Sequence, residues 1–211
     1  STTPLAPASG GTGVNNSTNT ITLIDGDLKI ASDNATNLAI GSPSPILTGT
    51  VRNTSFGSPA LNSNTTGNFN CAFGSVALGA NTTGLANNAF GQGASGSGTT
   101  ASSNCAFGQA ALSLNNGDLN CAYGNSSGSL YSYTNCTFLG TFADTTVTGL
   151  TNATAIGYNA KVAASNCMVL GQVGTFIGIG ITTPTAEFHV VGSSILGTVI
   201  GGAWAADPIA I

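Results

Sequence analysis

A short apolar phrase ending in glycine returns nine times along the 211-residue chain. NLAIG ends at Gly41, NTSFG at Gly57, NCAFG at Gly74, NNAFG at Gly91 and NCAFG at Gly108. NCAYG ends at Gly124, NCTFLG at Gly140, NATAIG at Gly157 and NCMVLG at Gly171. The intervals are 16, 17, 17, 17, 16, 16, 17 and 14 residues. An Asn stands four residues before the glycine in the first six phrases and five before it in the last three. An Ala follows three residues after the glycine at Ala60, Ala77, Ala94, Ala111, Ala143 and Ala160, often with Leu next, as at Leu61, Leu78 and Leu112. Polar turns close the unit: NTTG at 64–67 and 81–84, and NNGD at 115–118.

Such a period constrains the fold more than any other feature. Helices of ten or more residues do not fit between the glycines. Runs of four or five apolar residues bounded by Gly, Asn, Ser and Thr read as short strands and turns. Each unit therefore predicts a strand, a glycine turn, a second short strand and a polar loop. One unit cannot bury its apolar face alone, whereas stacked units can. The expectation is all-β, a parallel β-solenoid or β-roll with one coil per repeat. About nine coils of 16–17 residues, stacked at roughly 4.8 Å, would stand about 40 Å tall. The recurring glycine fits a turn with positive φ or a close backbone approach. The recurring Asn fits a hydrogen-bonded ladder from coil to coil.

Three regions follow. Residues 1–36 form a connector: a Ser/Thr/Gly/Pro/Asn linker to residue 18, then a β-hairpin within TITLIDGDLKIA around Asp25-Gly26-Asp27. Residues 37–175 form the repeat body. Residues 176–211 form a neck, in which AEFHVVG alternates like a strand, and an apolar Gly/Ala-rich tail. The chain opens STTPLAPASGG, without the basic start or apolar stretch of a signal peptide, so its first residue reads as a processed end. The apolar run from Ile195 to Ile211 is broken by Asp207 and Pro208, and no segment reaches the ~18 apolar residues of a membrane span.

All five cysteines, Cys71, Cys105, Cys121, Cys136 and Cys167, follow an Asn and are placed in one slot of the repeat. Residues two apart on a strand share a face. Cys71 then points the same way as Phe73, Cys105 as Phe107, Cys121 as Tyr123 and Cys136 as Phe138. With Phe assigned to the core, the thiols become small core residues. The alternative is a disulfide, since Cys105, Cys121 and Cys136 occupy consecutive coils about 5 Å apart. Metal binding is disfavoured because CxxC spacing is lacking and the one histidine, His189, lies in the strand-like EFHVV.

Only 5% of residues are charged, with three basic and seven acidic side chains; about 25% is usual. That argues against a nucleic-acid binder, which needs clustered Lys and Arg, and against adhesion to anionic membranes. Catalysis is not expected. Glycosidases need two facing carboxylates, and the only acids from Gly41 to Gly171 are Asp118 and Asp144, in different slots and read as solvated loop acids. No P-loop or HExxH motif occurs, and no cofactor or metal is expected. Nine N-x-S/T sequons, at Asn15, Asn16, Asn34, Asn53, Asn64, Asn81, Asn125, Asn135 and Asn152, could carry glycans if they lie on exposed loops. A threonine column at Thr65, Thr82 and Thr99 would suit ice binding, but it coincides with a turn. Tyr131, Tyr133 and Trp204 fall outside the strand slots and are weak recognition candidates, with packing the simpler role.

NCAFGSVALGANTTGLANNAFGQGA and NATAIGYNAKVAASNCMVLGQ resemble the N-T-A-I-G-x-x-A-L repeats of trimeric fibre heads, as in trimeric autotransporter adhesins and phage or large-virus fibres. GIGITTPTAEFHVVG resembles the short neck that ends such heads. The likeness runs from about Asn37 to Gly192. It implies a side-by-side homotrimer of left-handed parallel β-rolls. It also implies a non-enzymatic structural and attachment protein on a virion surface or otherwise extracellular. Its partners would be other fibre, capsid or tail components and a glycan or host receptor. A bacterial adhesin or extracellular filament subunit is the alternative, and a secreted ice-binding solenoid or a depolymerase ranks lower. Cysteine stands where the family has Thr, Ser or Val. The self-cleaving chaperone that follows many such necks is not in the sequence, so Ile211 would be a cleaved end or a truncation.

Overall fold

The computed structural model describes residues 38–40 and 52–191. Gly41, Trp204, the connector with its hairpin, and the apolar tail lie outside the described residues. The described part is all-β. Its strands are β1 (Leu38–Ile40), β2 (Thr54–Phe56), β3 (Cys71–Phe73), β4 (Asn88–Phe90), β5 (Cys105–Phe107) and β6 (Cys121–Tyr123). There follow β7 (Thr137–Leu139), β8 (Asp144–Thr145), β9 (Thr154–Ile156), β10 (Lys161–Val162), β11 (Met168–Leu170), β12 (Ile177–Ile179) and β13 (Phe188–Val190). The main sheet has nine strands in the order β1-β2-β3-β4-β5-β6-β7-β9-β11. All its pairings are parallel, and each repeat sits in register on the next, as in Phe73↔Phe90↔Phe107. The result is a β-solenoid of about seven turns. The neck strands β12 and β13 pair with each other in a separate parallel sheet.

The glycine column fixes the turn after each strand. From Gly57 to Gly140 its φ lies between 132° and 137°, a region that L side chains rarely enter. A Cβ on Gly57 would stand 2.6 Å from the carbonyl carbon of Gly74, and the same conflict recurs up the stack. Both reasons for glycine therefore apply at once.

The second segment of each unit departs from expectation. In most coils it is not a strand but a run of tight turns, with Leu61, Leu78, Ser95 and Leu112 at φ near +50°. It still bonds coil to coil: the Leu61 N–H donates to the Ala77 carbonyl at 3.0 Å, and the Leu78 N–H to the Ala94 carbonyl at 3.0 Å. Only β8 and β10 extend. There β-branched Thr145 and Val162 stand at the position where the earlier coils carry Asn62, Gly79, Gly96 and Ser113; β-branched side chains favour extended backbone.

The core overturns the assignment of faces. Along β2 to β7 and β9 the middle residue is buried, and the first and third look outward. Ala72, Ala89, Ala106, Ala122 and Ala155 fill the coil interior at 0% exposure, while Phe56 is 52% exposed and Tyr123 56%. A coil of 16–17 residues encloses a narrow tube, and a methyl group is what fits beside the inward Leu61, Leu78 and Leu112. The sequence places phenylalanine and cysteine inside; in β3 and β5 both look outward instead, as Cys71 and Phe73 do.

Asparagine is the other interior residue. The backbone N–H of Asn70 donates to the Asn53 Oδ1 at 2.9 Å, Asn87 to Asn70 at 3.0 Å, Asn104 to Asn87 at 3.0 Å and Asn120 to Asn104 at 2.9 Å. Each Nδ2 turns to a loop carbonyl of its own coil: Asn53 to Gly67 (2.8 Å), Asn70 to Gly84 (2.8 Å), Asn87 to Ala101 (2.7 Å) and Asn104 to Gly117 (2.9 Å). The ladder thus staples strand to loop within a coil and coil to coil. Each bond is worth about 1 kcal/mol, and leaving such a group buried and unpaired costs more.

Candidate functional site

The solenoid presents one unusual surface, the outward face of the main sheet. Third-position residues form an aromatic stack. Phe56–Phe73, Phe73–Phe90, Phe90–Phe107 and Phe107–Tyr123 have ring centroids 5.8, 5.0, 4.5 and 5.1 Å apart, and interplanar angles of 13° or less. Strand pairing at about 4.8 Å sets this spacing and in-register repetition sets the parallel planes. The column continues through Leu139, Ile156 and Leu170. First-position residues form the neighbouring column: Thr54, Cys71, Asn88, Cys105, Cys121, Thr137, Thr154 and Met168. The face carries no charge, and much of it is open to water in the single chain. Such a contiguous apolar stripe marks an interaction surface.

The five cysteines do not share a slot. Cys71, Cys105 and Cys121 stand in the outward column; Cys71 and Cys105 are half-buried and Cys121 is exposed. Cys136 pairs one position earlier, because NCTFLG carries one more residue between Asn and Gly than its predecessor. The extra residue pushes Asn135 out to an exposed position at φ +56°. Cys136 then takes the ladder position of Asn. Its N–H donates to the Asn120 Oδ1 at 2.9 Å, its Sγ accepts from the Ala153 N–H at 3.4 Å, and its thiol reaches the Leu150 carbonyl at 3.7 Å. The thiol thus reproduces both functions of the amide, and burial pushes its pKa up. Cys167 likewise precedes its strand and is exposed. Of the five expected core thiols only Cys136 is one, and all five are free.

The same shift places Phe138 in the alanine slot, opposite Ala122 and Ala155 and fully buried. Tyr133, also buried, packs on it at 4.7 Å. Gly128 makes the room. A Cβ there would meet the Phe138 Cδ2 at 2.6 Å and the Tyr133 hydroxyl at 2.7 Å. Tyr133 is therefore a core residue rather than a recognition residue, and Tyr131 packs against the same core.

The carboxylates do not form a catalytic pair. Asp118 accepts the Ser102 N–H at 2.7 Å in an exposed loop. Asp144 is 1% exposed, a correction to its reading as a solvated acid. Its Oδ2 accepts from the Ser129 and Leu130 N–H groups at 2.9 and 3.1 Å, and its Oδ1 from Thr145. Those bonds add to the staple from the Asn120 Nδ2 to the Tyr133 carbonyl at 2.8 Å, in a coil whose loop, GSLYSY, is irregular. Burial raises the Asp144 pKa, against the lowering effect of these N–H groups and of Lys161. His189 lies on β13, opposite Gly178, and its Nδ1 accepts the Thr185 N–H at 3.2 Å. Thr65 and Thr82 donate their hydroxyls to carbonyls of the next coil at 3.0 and 2.8 Å, which is the turn role. No group of three or more metal-ligating side chains occurs among the described residues. No described helix is long and apolar enough to cross a membrane.

Sequence reasoning missed an open cleft of about 370 Å³ at the end of the stack, lined by Asn159, Lys161, Val169, Gly171, Gln172 and Val173. The Lys161 ammonium donates to the Phe142 carbonyl at 2.8 Å, and Asn159 Nδ2 to Gln172 Oε1 at 3.1 Å. Its residues come from two successive coils and have no common sequence motif to announce them.

Comparison with known proteins finds no matching family model, no matching curated protein and no matching solved structure.

Proposed function

We propose that this chain is a structural and attachment protein, a segment of a trimeric fibre or spike on a virion surface that acts in host recognition. Its mechanism is a stiff scaffold that presents side chains outward, with no chemistry of its own. One observation carries the reading. The main sheet exposes an uncharged aromatic and aliphatic column along the whole stack, with Phe56 and Tyr123 more than half exposed in the single chain. Two further copies of the same chain are the economical cover, since each brings the same in-register column. Removing that surface from water supplies roughly 25 cal/mol per Å², which a narrow alanine-cored coil lacks. The NTAIG-type repeat supports the same arrangement: left-handed rolls of about nine coils, side by side about a threefold axis. The ligand would be a glycan or a protein receptor of the host. An extracellular adhesin of cellular origin would use the same fold and assembly.

Light scattering tests the assembly. A mass near three times 20.6 kDa, with and without reductant, is expected. The double substitution F90S/F107S should give the monomer mass while retaining β-type circular dichroism. A wild-type monomer would overturn the trimer. Binding of the trimer to a glycan array or to host cells tests attachment, and no binding to either by a well-folded trimer would reduce the reading to a structural one.

A further inference from the structure

We propose that Cys105 and Cys121 form an oxidisable pair, which peroxide closes into a single intrachain disulfide stapling two successive coils. The sequence placed three thiols in consecutive coils and left their pairing open. The structure removes Cys136 from that column, because its extra residue turns it inward with its sulfur engaged by Ala153, Thr134 and Leu150. Cys71 is separated from Cys105 by Asn88, a gap of two strand spacings, about 9.6 Å and beyond disulfide reach at Cα separations over ~7 Å. Cys167 precedes β11, three strands beyond β6 in the sheet order. One pair is left. Cys105 and Cys121 are direct register partners on β5 and β6, and parallel strands hold such residues about 4.8 Å apart, within the usual disulfide range. Both side chains lie on the outward face, where burial first and then the neighbouring Cys121 thiol push the Cys105 pKa up.

Exposure assigns the order of events. Cys121 is exposed and Cys105 is half-buried, so Cys121 meets the oxidant first. Its thiolate attacks one oxygen of hydrogen peroxide, the O–O bond breaks, and a sulfenic acid and one water result after proton transfer. The Cys105 sulfur then attacks the sulfenic sulfur, the S–O bond breaks, and the hydroxide leaves as a second water. Two thiols lose two electrons and two protons, and one peroxide is reduced to two waters. Phe107 and Tyr123 stack beside the pair at 5.1 Å, so strand alignment is already held when the bond forms. The inference stands on register and exposure within one chain; the proposed trimer would cover the same face, so the oxidation belongs to the unassembled chain.

The test uses the full-length chain carrying F90S/F107S, checked to be monomeric, reduced, freed of reductant and treated with a small excess of hydrogen peroxide. After unfolding, alkylation and intact-mass measurement, two of the five thiols should resist alkylation, and the chain should weigh two hydrogens less. Peptide mapping should join the Cys105 peptide to the Cys121 peptide, and dithiothreitol should reverse it. C105S and C121S should each abolish the cross-link, while C71S, in the same column, should leave it intact; circular dichroism checks that each variant folds. Five alkylated thiols after peroxide treatment would overturn the proposal. So would a mapped bond to Cys71, Cys136 or Cys167, or a cross-link that appears only as a reductant-sensitive dimer.

Discussion

Asn87→Ala should damage this protein far more than its one-side-chain change suggests. The Asn87 amide donates to the Ala101 carbonyl at 2.7 Å and to the Asn70 Oδ1 at 3.1 Å, and its Oδ1 accepts the Asn104 N–H at 3.0 Å. Alanine removes both staples. The Ala101 carbonyl and the Asn104 N–H lose these partners in the interior, where Asn87 and Asn104 are each 1% exposed. Each buried group left unpaired costs about 1–3 kcal/mol, so the loss should be about 2–6 kcal/mol. Asn62→Ala is the matched control, since Asn62 is exposed and surface changes stay within about 0.5 kcal/mol. Urea unfolding followed by circular dichroism reads the difference. Hydrogen exchange adds a local check, because the Asn104 amide should lose protection before amides several coils away. If N87A and N62A unfold at the same midpoint, the ladder is ornamental and the stability must reside elsewhere.

Gly128→Ala should cost about 2–4 kcal/mol, because its φ is +54° and its Cβ would drive into Phe138 and Tyr133; the double variant G128A/F138A should recover part of that loss in the same unfolding assay. Asp144 has a folded-state pKa raised by burial, so its contribution is fully present below the ordinary carboxylate pKa and is lost as pH rises through the folded value. The stability difference between wild type and D144N should therefore shift in favour of wild type as pH falls from 7 to about 4, and a difference that is flat across that window would refute the assignment. Expression through a eukaryotic secretory pathway should place glycans, among the described sequons, at exposed Asn125, Asn135 and Asn152 and not at buried Asn53, Asn64 and Asn81. Glycopeptide mass spectrometry decides, and occupancy at Asn53 would mean that the ladder is open when the chain is made.

The period, the parallel stacking and the need for glycine were legible because each is a one-dimensional signal: an interval, a strand-length limit and a residue without Cβ. The choice of face was not. In a strand such as Asn70-Cys71-Ala72-Phe73 the alternation gives two faces but not which is inside, and hydrophobicity alone points to Phe. The deciding quantity is the width of the coil. A unit of 16–17 residues that spends several on turns leaves room for Ala72 and Asn70 but not for a column of rings. That argument was available, since the small residue is the constant one: Ala72, Ala89, Ala106 and Ala122 stand in the same place while the outer position varies among Cys, Asn, Phe and Tyr.

Cys136 carries the same lesson further. NCTFLG looks like NCAFG with one residue added, and alignment on the Asn places its cysteine with the others. Strand pairing aligns instead on the residues before the glycine, where Thr137, Phe138 and Leu139 match Cys121, Ala122 and Tyr123. The glycine turn cannot move, because its φ and its close approach to the next coil are fixed, so the insertion is absorbed upstream. Asn135 is expelled, Cys136 inherits the amide's bonds, and Phe138 enters the core only because Gly128 yields the space. A change of one residue in the interval thus converts an outward thiol into an inward one and leaves Cys105 and Cys121 as the single adjacent outward pair. The chemistry of the five cysteines is set by register rather than by their shared Asn-Cys context.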